Sequence, residues 1–330
     1  MKYPLAWCGW LLWLLWLTAW SASVLAQQPA ADAMQWLQRI QQATQRLNYS
    51  GTFVYVQHGG QPQTSRTTHI FDGSNHRERI EMLDGAALVM MRTNDQVKSY
   101  FPGTKTVLVE KRTFKGNFPA LLTDRVSHIG EQYEVRKGEP DRVAGIECQT
   151  LILESRDKMR YSHKLWADLS SALLLKAQMI NEKGEVVEQI AFSQVEIGGS
   201  AERFQGRLGK PLGGRDWRTS TPVVTIWRGV DAGWHIENPL PGFRKVLEVR
   251  RGIGQAEVGQ VVFSDGLASV SVFLEPLRDG ARAHEGSTNQ GAVNVYRRRI
   301  GDQLVTVLGE APPACVARIA QAIEFKPVSR

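Results

Sequence analysis

Two sets of side chains in this sequence have the types and spacing to do binding chemistry. The first mixes cations with apolar groups. Arg77, Arg79, Lys111, Arg112 and Lys115 are fixed or mobile donors for phosphate oxygens. Phe53, Tyr55, Met90, Tyr100, Leu151, Leu153, Leu165, Trp166 and Met179 recur on alternating segments and are able to line an apolar interior. Together they describe a site for a phosphorylated amphiphile, with its tail in the interior and its head at a basic mouth. The same residues also describe a filled core and a solvated face, and the sequence leaves both descriptions open. The second set is Tyr296-Arg297-Arg298-Arg299, with Phe263 and Leu267 upstream. It suits an acidic protein partner, and it equally suits an edge strand guarded by charge.

Catalytic chemistry has no such support. The seven histidines are scattered, and neither HExxH nor G-x-S-x-G occurs. Gly252, Gly254 and Gly259 do not form a dinucleotide or phosphate loop. No metal ligand set and no cofactor motif emerges, so a binding protein without cofactor is expected rather than an enzyme.

The elements that must position these residues are mostly strands. Residues 143–192 hold four apolar-rich runs: Gln149–Glu154, Tyr161–Ala167, Leu173–Ile180 and Val186–Phe192. Turn residues such as Asn181-Glu182-Lys183-Gly184 separate them. Lys164, Lys176, Gln178 and Glu188 alternate with Leu165, Leu175, Ala177 and Ile190, which gives one covered face and one wet face. A helix is expected over 31–47, where Met34, Leu37, Ile40 and Leu47 follow helical spacing. A meander follows through Thr52–Gln57, Thr64–Phe71, Arg77–Leu83, Leu88–Thr93, Gln96–Phe101 and Thr106–Lys111. Residues 113–130 read as a short helical insert. The first domain is thus a large, curved antiparallel sheet over residues 27–198.

Glycine-rich residues 199–216 read as a linker. Residues 217–330 read as a smaller β-rich domain ending in a helix over 314–323. Residues 1–26 form an export signal: Lys2, an apolar run from Leu5 to Trp20, and a small-residue site that predicts cleavage after Ala26. The chain's net charge of +7 permits anionic head groups or an acidic partner, but export past a membrane argues against nucleic acid. Cys148 and Cys315 remain after cleavage; two separate buried thiols are expected, and the alternative is a bridge that would staple the two domains together.

These features resemble the RseB/MucB family of periplasmic sigma-E regulatory proteins. The resemblance is carried by the leader, Trp36-Leu37, Tyr49-Ser50-Gly51-Thr52-Phe53-Val54-Tyr55, Arg160-Tyr161-Ser162-His163-Lys164-Leu165-Trp166 and Gly184-Glu185-Val186-Val187-Glu188-Gln189. It continues through Pro241-Gly242-Phe243, Phe263-Ser264-Asp265-Gly266-Leu267 and Leu308-Gly309-Glu310-Ala311-Pro312-Pro313. The resemblance implies an unclosed β-barrel like the lipoprotein carriers LolA and LolB, followed by a smaller β-rich domain. It implies a partner, the periplasmic domain of an RseA/MucA-type anti-sigma factor, which the protein shields from regulated proteolysis. Lipid or lipopolysaccharide would loosen that grip, and a homo-oligomer is possible. The curved sheet alone also fits a periplasmic lipid or lipoprotein carrier, although a carrier has no use for the second domain.

Overall fold

The protein is described from a computed structural model over residues 31–111, 118–122, 126–210, 212–236, 240–253, 256–277 and 285–326. Helix α1 spans residues 31–46. Six strands follow as a meander: β1 (Tyr49–Gln57), β2 (Gln63–Phe71), β3 (His76–Met82), β4 (Val89–Thr93), β5 (Gln96–Phe101) and β6 (Thr106–Lys111). The one-turn helix α2 (Ile129–Gln132) leads into β7 (Tyr133–Lys137), β8 (Asp141–Val143), β9 (Ile146–Ser155), β10 (Ser162–Asp168), β11 (Leu174–Ile180) and β12 (Val186–Ile197). Polar turns set the register. Gly73 and Gly184 sit at φ +100° and +80°, which a residue with a side chain rarely adopts.

β12 returns to pair with β1, so one sheet runs β6-β5-β4-β3-β2-β1-β12-β11-β10-β9-β7, with β8 beside β9. β3 and β7 stand seven places apart in this order. Laid flat they would be roughly 34 Å apart at ~4.8 Å per strand. Yet Ile80 of β3 and Val135 of β7 share one apolar cluster with Trp36, Leu37 and Ile40 of α1. The sheet therefore curls around α1 without closing. Each fully buried Leu or Ile beneath the helix contributes about 1.5–3 kcal/mol.

Residues 199–216, expected as a free linker, instead cross the outer face of this sheet. Helix α3 (Ala201–Gln205) buries Phe204, which packs with Leu208 against Ile70 of β2. Leu212 and Trp217 pack on Val89, Tyr100 and Val107. β13 (Arg218–Ser220), placed by the sequence reading in the second domain, pairs parallel to β6 and becomes the sheet's last strand. The glycines suggested slack, but Phe204, Leu208 and Trp217 bury enough apolar surface to hold the segment down.

The second sheet is antiparallel. Its strands are β14 (Val224–Ile226), β16 (Arg244–Ile253), β17 (Ala256–Ser264), β18 (Ser269–Pro276), β19 (Gly286–Gln290), β20 (Val293–Ile300) and β21 (Gln303–Gly309). They lie in the order β14-β16-β17-β18-β21-β20-β19. β15 (Trp234–Ile236) pairs separately with β22 (Ile323–Phe325). Helix α4 (Pro313–Gln321) covers one face through Cys315, Val316, Ile319 and Ala320. No helix among the described residues is long and apolar enough to cross a membrane.

Candidate functional site

Strand alternation decides which candidate residues meet. Phe53, Leu151, Leu153 and Leu165 face inward beneath α1, and Met90 packs beside them. Phe53 meets Phe118 and Phe192 edge-on, at 5.4 and 6.1 Å between centroids. This region of the expected interior is a filled core. Tyr55 sits farther along β1, half-buried, and its hydroxyl donates to Glu188 Oε2 at 2.8 Å.

Two candidates, Tyr100 and Met179, lie elsewhere, and Trp166 lies at the border of this core. Tyr100 faces the outer side, because its cross-strand partner Val89 has the opposite parity to Met90. Trp166 is buried in the same cluster as Leu165, at the border where polar groups reach its ring. Its Nε1 donates to Asp141 Oδ2 at 2.7 Å, and Lys164 and Lys176 stand over its ring at 4.6 and 4.4 Å. Met179 packs with Tyr161 and with Ala292 of the second sheet's unit.

Among the described residues the basic candidates do not form a mouth over this interior. Arg77 and Arg79 lie on the outer face, opposite in parity to the inward Ile80. Arg77 donates to Gln205 Oε1 at 2.9 Å and stands 3.6 Å from Asp72. Arg79 reaches Glu81 and the carbonyl of Leu208, both at 3.4 Å. Lys111 is exposed at the end of β6, while Arg112 and Lys115 fall outside the described residues. Two clefts of about 490 Å³ each are lined by other residues, including Arg66, Glu196 and Arg207 in one and Arg136, Lys158 and Glu182 in the other.

The sequence reading missed a polar row on the inner face. Tyr49, His69, Glu78 and Arg92 stand directly opposite one another across β1, β2, β3 and β4. The ring of Tyr49 stacks on His69 at 5.0 Å, and Arg92 lies 3.5 Å from the buried Glu78 carboxylate. His69 Nδ1 donates to the Leu47 carbonyl at 2.8 Å. Burial lowers His69 to a pKa of about 4, and Arg92 and His76 push the same way. Burial raises Glu78 despite Arg92. The signal was available: Glu78 and Arg92 share parity with Ile80 and Met90, so charge had to fall on the covered face.

The partner candidates are corrected more sharply. Phe263 is buried in the second sheet's core, and Leu267 is buried in the core of the first. They join the two units and present no free surface. Tyr296 packs inward, and Arg298 turns inward to donate to the Ile323 carbonyl. Only Arg297 and Arg299 are exposed, because alternation splits the basic strip over two faces.

What joins the units is a buried ion pair between two residues that lie in the segments resembling the family but were given no role there. Arg160, in the β9–β10 loop, donates through Nε to Asp265 Oδ2 at 2.6 Å, with both side chains fully enclosed. Its other nitrogens reach Asp157 and the Pro241 carbonyl, and its guanidinium lies 4.7 Å from the Phe243 ring centroid. Tyr133 also donates to Asp265 Oδ2, at 3.3 Å. Asp265 Oδ1 accepts from the amides of Leu267 and Ala268 at 2.9 and 2.8 Å, which shapes the β17–β18 turn. Burial alone would lower the Arg160 pKa, but the Asp265 and Asp157 carboxylates outweigh it and raise it. Nearby, Asn294 donates to the Tyr161 hydroxyl at 2.9 Å. The same turn that carries Leu267 into the first core thus carries the anion that closes over Arg160.

The architecture is that of a mostly β protein in which an open, helix-filled sheet is clasped to a second, smaller sheet. The chain belongs to the MucB/RseB family: residues 32–208 match its N-terminal domain and residues 229–324 its C-terminal domain. The sigma factor AlgU regulatory protein MucB of Pseudomonas aeruginosa is 30% identical over 300 residues, which cover 89% of this chain and 91% of that protein. The sigma-E factor regulatory protein RseB of Escherichia coli K12 is 24% identical over 310 residues, 90% of this chain and 91% of that one. The P. aeruginosa MucA/MucB complex superposes with a TM-score of 0.69 at 29% identity, covering 90% of this chain and 100% of that chain. A crystal structure of MucB gives 0.63 at 27% identity, covering 90% and 98%.

Proposed function

We propose that this protein is a periplasmic negative regulator that binds the periplasmic domain of a MucA/RseA-type anti-sigma factor and shields it from proteolysis. One observation carries the reading: the fold matches, across nine-tenths of the chain, a MucB that was solved in complex with MucA. In this reading the leader is removed after Ala26 and the protein acts by binding rather than by catalysis. The chain divides near residues 221–223 into a large-sheet domain and a small-sheet domain. Lipid or lipopolysaccharide weakens the complex. The filled core beneath α1 supports a tail site there only if its packing opens, and because Leu267 of the clasp is buried in that same core, lipid entry and the clasped arrangement compete. By reciprocity each ligand then weakens the other equally, ordinarily by about 1–3 kcal/mol.

The test is calorimetry with the mature chain and the periplasmic domain of the anti-sigma factor from the same genome, followed by protease challenge of the complex. Saturable binding and slower cleavage of the partner are expected. Absence of binding overturns the reading. Affinity unchanged by saturating phosphorylated lipid removes the sensing role and leaves a plain inhibitor.

A further inference from the structure

Among the described residues, the large exposed apolar side chains are not spread evenly. Four of eight fall within residues 223–230: Val223 at 74% exposure, Val224 at 43%, Ile226 at 95% and Val230 at 50%. They centre on β14, which ends the small sheet and, among the described residues, pairs with β16 alone. An end strand offers its outer row of backbone donors and acceptors to any extended segment, and proteins normally guard such edges with polar or charged residues. The opposite end strand, β19, does so with Ser287, Thr288, Asn289 and Gln290. β14 does the reverse.

The strand is also held in place. Trp227, its next residue, packs into the small-sheet core so closely over Gly259 that a Cβ there would lie 2.5 Å from the indole. Arg250 covers the same ring at 5.6 Å. The strand is thus presented on a fixed support, so an incoming segment meets a preformed edge.

Charge selects the occupant. Residues 215–251 hold seven Arg or Lys against four Asp or Glu. Arg228 and Arg250 flank β14, and their ion pairs with Asp231 and Glu257 are long, 3.6 Å each, and exposed. Such pairs exchange readily for a new anion. Two copies of this edge brought together would set Arg228 and Arg250 of one against those of the other, which disfavours self-pairing.

We propose that β14 is the edge on which the anti-sigma partner adds an extended segment, with apolar side chains at alternate positions and acidic side chains beside them. This rests on the regulatory reading above. Apolar contact with Val224 and Ile226 and backbone pairing supply affinity, while Arg228 and Arg250 steer an acidic segment into register.

The experiment uses the mature chain, Ile226→Asp and Arg228→Glu, with the periplasmic domain of the anti-sigma factor as probe. Both altered side chains are exposed, so unchanged circular dichroism is expected. Ile226→Asp should weaken binding roughly tenfold or more. Arg228→Glu should slow association and flatten its salt dependence. Amides of residues 224–226 should gain hydrogen-exchange protection in the complex. If the unaltered chain binds but Ile226→Asp changes affinity by less than about twofold, and amide protection falls elsewhere, the docking assignment is overturned while the regulatory reading stands. If the unaltered chain does not bind, both fall. A dimer of the unliganded chain that Ile226→Asp dissolves would make the edge a self-interface and also overturn the assignment.

Discussion

Replacing Asp265 by Asn should loosen the two sheets from each other. The change keeps size and removes one charge. With the amide oxygen at the Oδ1 position, the bonds from Leu267 and Ala268 survive. The amide nitrogen then faces the Arg160 Nε–H and the Tyr133 hydroxyl, both donors. With the amide reversed, Arg160 regains an acceptor but the turn loses its two, at about 1 kcal/mol each. Either way Arg160 stays buried beside one carboxylate, Asp157, instead of two. Breaking a buried pair from one side costs about 3–5 kcal/mol. The remaining Asp157 and Pro241 contacts place this variant near the lower end of that range at neutral pH. Urea unfolding followed by tryptophan fluorescence measures it, with hydrogen exchange at Leu267 reporting the interface directly. Adding Arg160→Met should restore much of the loss, because the uncompensated charge goes with it. A loss under about 1 kcal/mol would equal that of an exposed ion pair. It would mean that Leu267 and its apolar neighbours hold the units together without help from the charges.

Acid should destabilise the fold through His69. Its native pKa of about 4 lies below the unfolded value of 6.5, so the unfolded chain takes up a proton first and stability falls as pH drops from 6.5 towards 4. Between pH 7.5 and 5 the loss is about 2 kcal/mol. Glu78, raised by burial, works in the opposite direction. His69→Asn, which keeps a donor for the Leu47 carbonyl, should show a smaller loss over this range in urea titrations, and an equal loss would clear His69. Cys148 and Cys315 are free and buried, and burial pushes them up to about 11 and about 12. The native protein should therefore resist a thiol reagent at pH 8, and the denatured mature chain should take up two equivalents without reductant. Gly309→Ala should cost about 1–3 kcal/mol in the same urea assay, because its Cβ would lie 2.3 Å from the Ser269 carbonyl oxygen on the paired strand.

Most strands of the large sheet were legible because their apolar residues alternate cleanly and their turns carry Asp-Gly, Asn-Asp or Lys-Gly. Three of the three-residue pieces were not. β8, β13 and β22 are too short to establish a period, and their pairing is fixed by distant partners. Parity was a stronger guide than composition. Once Ile80 is placed inward, Arg77 and Arg79 must face outward and Glu78 inward, so a head group on those arginines and a tail under α1 would lie on opposite sides of one sheet. Grouping residues by chemical type alone joined side chains that the pleat separates.

The interface between units was the least legible feature, for a physical reason. Ser264-Asp265-Gly266-Leu267 has the composition of an ordinary turn, and its roles as plug and anion depend on a surface more than a hundred residues away. One anomaly was visible: a large apolar residue in a tight turn has nowhere to go within its own hairpin. Leu267 resolves it by entering the other unit's core, and Asp265 follows into a dry site where its charge must be matched. Arg160 meets that need from the β9–β10 loop, where the sequence alone assigns it no partner. The clasp therefore couples two choices that neither unit makes alone. A ligand that separates the units must expose Leu267 and pull the enclosed Arg160 and Asp265 charges apart in the same step. Opening should then be a two-state event rather than a graded one, as a regulator that holds or releases its partner requires.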